Sequence, residues 1–232
     1  VMADTDKAGK VLRTIRERMG EDAAVMIARA AVCPDKDKAD LIYRMIVLGL
    51  HLKDGHRITG MLGDPVMQRM FELGRKAGNI AMRYIEIIRF QELDSGALLA
   101  VIDPEADVLA LIAPHFSNRL PLENWMIYDR RRQKAVIHPA GKGWFLVEEV
   151  DERSVLEAEM SHEEARYGEL WKCFFKTLTI EARVNQKLQT SLIPLKYRDF
   201  MKEFQNESLR EDCEKCQNKE TKQEYEKQIS QE

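Results

Sequence analysis

Arg183, Asn185, Lys187, Gln189, Lys196, Tyr197 and Arg198 crowd into one short stretch on either side of Pro194. Guanidinium and ammonium groups neutralise phosphate oxygens, amides read base edges and a phenol ring stacks on a base, so the chemistry of this set is nucleic-acid contact. A second concentration, Asp129-Arg130-Arg131-Arg132, falls between two segments with the texture of strands. Three arginines at such a turn make an electropositive knob, and guanidinium matches phosphate in two-pronged geometry. Both sets have a structural alternative, in which Asp129 holds one arginine, Asn185 caps a turn and Arg183 pairs with Glu181. His115 stands next to Phe116 and close to Arg119, and imidazole is the side chain whose unperturbed pKa lies nearest neutral pH. This histidine joins Asp129 as a candidate proton-transfer group, with Arg183 completing a pocket for a nucleotide or damaged base. The alternative for His115 is a hydrogen-bonded place on an apolar face. No Gly-rich phosphate loop, serine elbow or paired-histidine metal motif occurs. Cys213 and Cys216 form a lone Cys-x-x-Cys that would need two more ligands for zinc, so no metal and no cofactor are expected.

The elements that must position these residues follow from composition and spacing. In 232 residues, 44% hydrophobic and 32% charged, there is material for one substantial core or two small domains of a soluble globular protein. A net charge of -3 argues against coating nucleic acid by bulk charge and requires a local basic face. The absence of a long apolar run or a leader-like start predicts a cytoplasmic protein without membrane spans, and the opening on Val1 reads as a start inside a longer native chain. Val11, Leu12, Ile15 and Met19 share a helical face; a second helix over 21–32 stops at Cys33-Pro34; a third runs from Asp37 to about Leu50. Asp54-Gly55 marks a turn, and Asp64-Pro65 starts a helix that carries Met70, Leu73, Ala77, Ala81 and Tyr84 inward. The third helix is too apolar for a DNA groove, which sets aside a helix-turn-helix reading.

Short apolar runs over 89–93, 98–102, 125–128, 135–138 and 144–147 predict a mainly antiparallel meander, interrupted by helical spacing from Asp107 to Leu120, where Pro114 suits only the first turn of a second short piece. Ser161 and Glu164 make a capping box for a long helix whose stripe, Trp171, Phe174, Phe175, Leu178 and Ala182, reads as core. The fold class is α+β, with an N-terminal helical segment over 1–88, a central sheet region over 89–150, and long C-terminal helices over 151–201 that pack on the sheet. Residues 202–232 form a charged tail, expected as a solvated helix.

His115-Phe116-x-x-Arg119, Trp125-x-Ile127-x-Asp129-x-Arg131-Arg132, and Leu170-Trp171 through Ile180-Glu181-x-Arg183-x-Asn185 to Gln189, Pro194 and Tyr197 together resemble a bacterial family of DNA-metabolism proteins. The resemblance covers roughly residues 7–201. Members of that family are encoded beside a radical-SAM protein, and some are fused to a uracil-DNA glycosylase domain. The resemblance therefore implies a DNA-repair or DNA-modification accessory whose partners are DNA, a separate radical-SAM protein and a uracil-DNA glycosylase. It transfers no catalytic residue, and the family's Arg-rich text around Asn185 is diluted here by Val184 and Gln186.

Overall fold

In the computed structural model, which describes residues 5–156, 159–179, 185–198, 201 and 204, the elements run in chain order as follows. Helices α1 (Thr5–Met19), α2 (Glu21–Ala31) and α3 (Lys38–His51) lead through a 3-10 turn at Gly55–Gly60 into α4 (Pro65–Ile87). Strand β1 (Gln91–Glu92) and β2 (Leu98–Ile102) precede α5 (Leu109–Arg119), followed by β3 (Trp125–Asp129), β4 (Lys134–His138) and β5 (Phe145–Val147). Helices α6 (Glu152–Leu156), α7 (His162–Leu178), α8 (Gln186–Leu192) and α9 (Leu195–Arg198) complete the set. The fold is α+β, and no helix among the described residues is long and apolar enough to cross a membrane. Two compact units emerge, Val1–Glu86 with Ala97–Glu157, and Ile87–Gly96 with Ala158–Glu232.

The first unit buries a helical core. Ile15 and Met19 of α1, Ala23 and Ile27 of α2, and Met45 of α3 meet Met70 and Leu73 of α4, all six percent exposed or less. Burial of this apolar surface, worth about 25 cal/mol per Å² removed from water, is what holds short helices that would not persist alone. Val11 and Leu12, expected on the same face, are 50% and 39% exposed, so the α1 seam narrows to its C-terminal half. Asp64 caps α4 as its chemistry demands, its Oδ1 accepting from the Val66 and Met67 amides at 2.8 and 3.2 Å. At Gly55 a Cβ would run into the Arg18 carbonyl oxygen and lie 3.0 Å from the Gly49 carbonyl oxygen, so only glycine lets the 3-10 turn sit against α1 and α3.

Four strands of the first unit form the sheet region. β3 pairs antiparallel with β4, and β4 with β5, as the meander predicts. β2 pairs with β3 in parallel, Leu98 opposite Trp125 through Ile102 opposite Asp129, which corrects the expectation at that one pair. The reason is α5: a helix between two strands returns the chain to the same end, the connection a parallel pair requires. α5 is also one continuous helix containing Pro114, not two pieces. Ala110, whose carbonyl loses its amide partner to Pro114, lies with Pro114 on the exposed side, where water can serve it.

In the second unit, the Ser161 hydroxyl caps α7 by accepting from the Glu164 amide at 3.0 Å, while its own amide donates to the Glu92 carbonyl at 2.9 Å. Only α7 is long. α8 and α9 span 7 and 4 residues, because Pro194 drives Ile193 to φ −125° and ψ 89° and ends α8 there. The tail beyond Phe204, with Cys213 and Cys216, lies outside the described residues.

Candidate functional site

The three arginines of the β3–β4 turn are turned to internal acceptors. Arg131 forks onto Asp103, Nε to Oδ1 at 2.7 Å and Nη2 to Oδ2 at 3.2 Å, and this pairing pulls the Asp103 carboxyl below its ordinary range. Arg132 donates through Nη1 to the Pro104 carbonyl and to Asp129 Oδ2, both at 2.9 Å, and through Nη2 to the Glu105 carbonyl at 2.7 Å. Arg130 pairs with Glu152 at 3.0 Å. The turn is therefore a clamp that ties β3–β4 to the 103–105 loop and to the start of α6, and its charge is met by Asp103, Asp129 and Glu152. Those acids were visible in the sequence; that they converge is a product of the parallel β2–β3 pair, which sets Ile102 beside Asp129.

Asp129 is fully buried, and burial raises its carboxyl above the ordinary range against the opposing pull of Arg132. His115 is exposed on α5, its ring 5.1 Å from that of Phe116. No hydrogen bond, ion pair or ring contact among the described residues joins His115 to Asp129. Arg183, the third member of the expected pocket, lies outside the described residues. The histidine that is buried is His138, stacked on Trp125 at 4.9 Å and 3°, with its Nδ1 at 3.1 Å from the Glu123 carbonyl. This is a packing role. Among the described residues no cluster of His, Cys, Asp and Glu is arranged to hold a metal ion.

The second unit contains the rest of the expected set. Asn185 caps α8, its Oδ1 accepting from the Leu188 amide at 3.0 Å, so the amide expected to read a base edge serves the helix start. Tyr197 is 7% exposed, too deep for the stacking role expected of it. The Lys196 ammonium sits 5.0 Å above its ring centroid. Arg198 donates to the Ile193 carbonyl and Thr190 Oγ1, both at 3.3 Å, with its guanidinium 4.7 Å over Phe204. Lys187 and Lys196 are exposed and Gln189 is half-buried.

Three members of the α7 stripe expected as core, Trp171, Phe174 and Leu178, face outward, while the Phe175 side chain and Ala182 lie outside what the structure describes. Trp171, Phe174 and Leu178 are 45%, 54% and 62% exposed, and Tyr167 is 64% exposed. Trp171 and Phe174 make a tilted pair 5.9 Å apart. With Arg89 and Phe90 they border a cavity of about 610 Å³. Glu164 and the buried Gly168 lie on the same wall, at helical spacing from Trp171. Arg89, Phe90, Glu164, Tyr167 and Gly168 were not singled out as a site in the sequence. The available signal was a glutamate and a glycine falling on the same helical face as the aromatics, a poor composition for a core.

No curated protein and no solved structure matches this chain. The model of a domain of unknown function, DUF4130, matches residues 36–203, most of the 232 residues and both concentrations described above, so the chain belongs to the DUF4130 family.

Proposed function

We propose that this protein is an accessory of DNA repair or modification that binds DNA through its second unit. The observation that carries the reading is the row of exposed aromatic rings on α7, Tyr167, Trp171 and Phe174. Soluble proteins rarely leave such a row open without a partner, and aromatic faces joined to cationic side chains are the common means of holding a nucleic-acid strand. The cations are at hand in the same unit, with Lys187 and Lys196 exposed. The arginines of the β3–β4 turn are left out of this surface, because acids and carbonyls of the first unit engage all of them. An enzyme built on His115 and Asp129 has no observation in its favour, since one is exposed and the other is buried against Arg132. A radical-SAM protein, implied by the resemblance, is proposed as the companion that performs the chemistry.

Binding of single-stranded and duplex DNA, followed by fluorescence anisotropy across a salt series, tests this. Affinity is expected to fall as salt rises, and Lys187→Ala with Lys196→Ala to flatten the log–log slope by about 1.4 on a single strand, or roughly 0.7 per phosphate contact. Absent or salt-insensitive binding would overturn it.

A further inference from the structure

We infer that the cavity beside the 3-10 turn of the first unit binds the phosphate group of a phosphomonoester. This site stands apart from DNA binding by the second unit, since every residue bordering the cavity lies in the first. Residues three apart eclipse in a 3-10 helix, so Gly55 and Ile58 fall on one side of the turn and His56 and Thr59 on another. The first side is locked in place: Ile58 is fully buried in the helical core, and Gly55 sits against the Arg18 and Gly49 carbonyls. That fixes the direction of the second side. The His56 ring lies over Gly20, where a Cβ would be 2.8 Å from its Nδ1, and Gly20 also holds a φ of +88°. Glycine at the α1–α2 corner therefore serves both the backbone and the seat of the imidazole.

Lys53, His56, Arg57 and Thr59 border this cavity of about 750 Å³. Among the described residues no hydrogen bond or ion pair engages the Lys53 ammonium, the Arg57 guanidinium or the His56 ring. One carboxylate shares the wall, Asp54, and its Oδ1 is turned back to accept from the His56 amide at 3.2 Å. Two permanent cations thus border one cavity with a single, engaged anion, and their mutual repulsion is relieved by an anionic occupant. A phosphomonoester carries a charge of about −1.5 to −2 at neutral pH and three terminal oxygens, which match an ammonium, a guanidinium fork and a hydroxyl. A carboxylate or a phosphodiester brings one charge and leaves one of the two cations unmet. The volume lies in the range of small-ligand pockets, about 300–1,000 Å³, and the half-buried Leu52 and Met61 supply apolar wall for the organic body of the ester.

The experiment is an amide-resolved NMR titration of the full chain with phenyl phosphate and, separately, with benzoate, on the wild type and on Lys53→Ala combined with Arg57→Ala. Both side chains are exposed, so their truncation leaves no buried void, and an unchanged melting temperature checks this. Expected are saturable shifts over residues 52–61 with phenyl phosphate, a roughly tenfold or greater loss of affinity in the double variant, and a similarly weaker binding of benzoate. Shifts confined to other residues, no saturation, an unchanged double variant or equal affinity for benzoate overturns the inference and leaves DNA binding by the second unit standing. Displacement of phenyl phosphate by a 5′-phosphorylated oligonucleotide but not by its 5′-hydroxyl counterpart upholds the site and traces the phosphate to a DNA end. Displacement by neither upholds it and traces the phosphate to a small organic ester. Equal displacement by both overturns the phosphomonoester in favour of a phosphodiester.

Discussion

Replacing Arg132 by alanine is expected to destabilise the first unit without touching DNA binding. Its guanidinium supplies three hydrogen bonds, to Asp129 Oδ2, the Pro104 carbonyl and the Glu105 carbonyl. In Arg132→Ala the fully buried Asp129 carboxylate keeps only the backbone amide of residue 132, now at 3.2 Å. Removing one partner of a buried ion pair costs about 3–5 kcal/mol. Because Arg132 is itself 21% exposed and water can partly replace it, the low end applies, about 3 kcal/mol. Urea denaturation at pH 7 reads this directly, and the melting temperature should fall by roughly 6–12 °C. Asp129→Asn removes the buried charge as well as the pair, so it should cost about 1 kcal/mol, and the double variant less than the sum. The pH dependence has a definite sign. Burial raises the folded Asp129 carboxyl above its unfolded value of about 4, so the folded state holds the proton more tightly and stability falls as pH rises between those two values. Asp129→Asn lacks that fall. An Arg132→Ala protein within about 0.5 kcal/mol of wild type, or additive effects in the double variant, would refute the clamp and return Arg132 to the list of surface cations.

Two further outcomes follow from the first unit. Asp35 is held below its ordinary range by its hydrogen bond to Lys76 at 2.8 Å, and Asp103 by Arg131; such contributions are in place above the unfolded value of about 4 and disappear as pH falls toward the folded ones. Acid unfolding monitored by circular dichroism should therefore show a flatter limb in Asp35→Asn combined with Asp103→Asn. Asp64→Ala strips the α4 amides of Val66 and Met67 of their shared acceptor and should cost about 1 kcal/mol in a thermal melt, whereas Asp64→Asn, which keeps an oxygen there, should restore most of it.

Local chemistry determined a good part of the molecule from the sequence alone. Asp64-Pro65 states a helix start in its own atoms, Cys33-Pro34 ends one, Ser161 caps another, and the inward face of α4 follows from spacing at 3.6 residues per turn. The strand segments and the α+β class were equally legible, since period and turn residues are local properties. What only the tertiary structure decided is where charges and aromatics meet partners distant in the chain. Nothing near Arg131 announces Asp103, 28 residues away; the pairing exists because α5 carries the chain back and lays β3 parallel to β2. Asn185 and Tyr197 had residue types fit for a base; local chemistry spent the first on a helix cap, as its alternative reading allowed, and tertiary packing buried the second. The α7 stripe shows the same limit from the other side. Helical spacing establishes that Tyr167, Trp171 and Phe174 share a face, but whether that face meets a core or a cavity depends on which surfaces the rest of the chain can bring against it, and that is a non-local quantity.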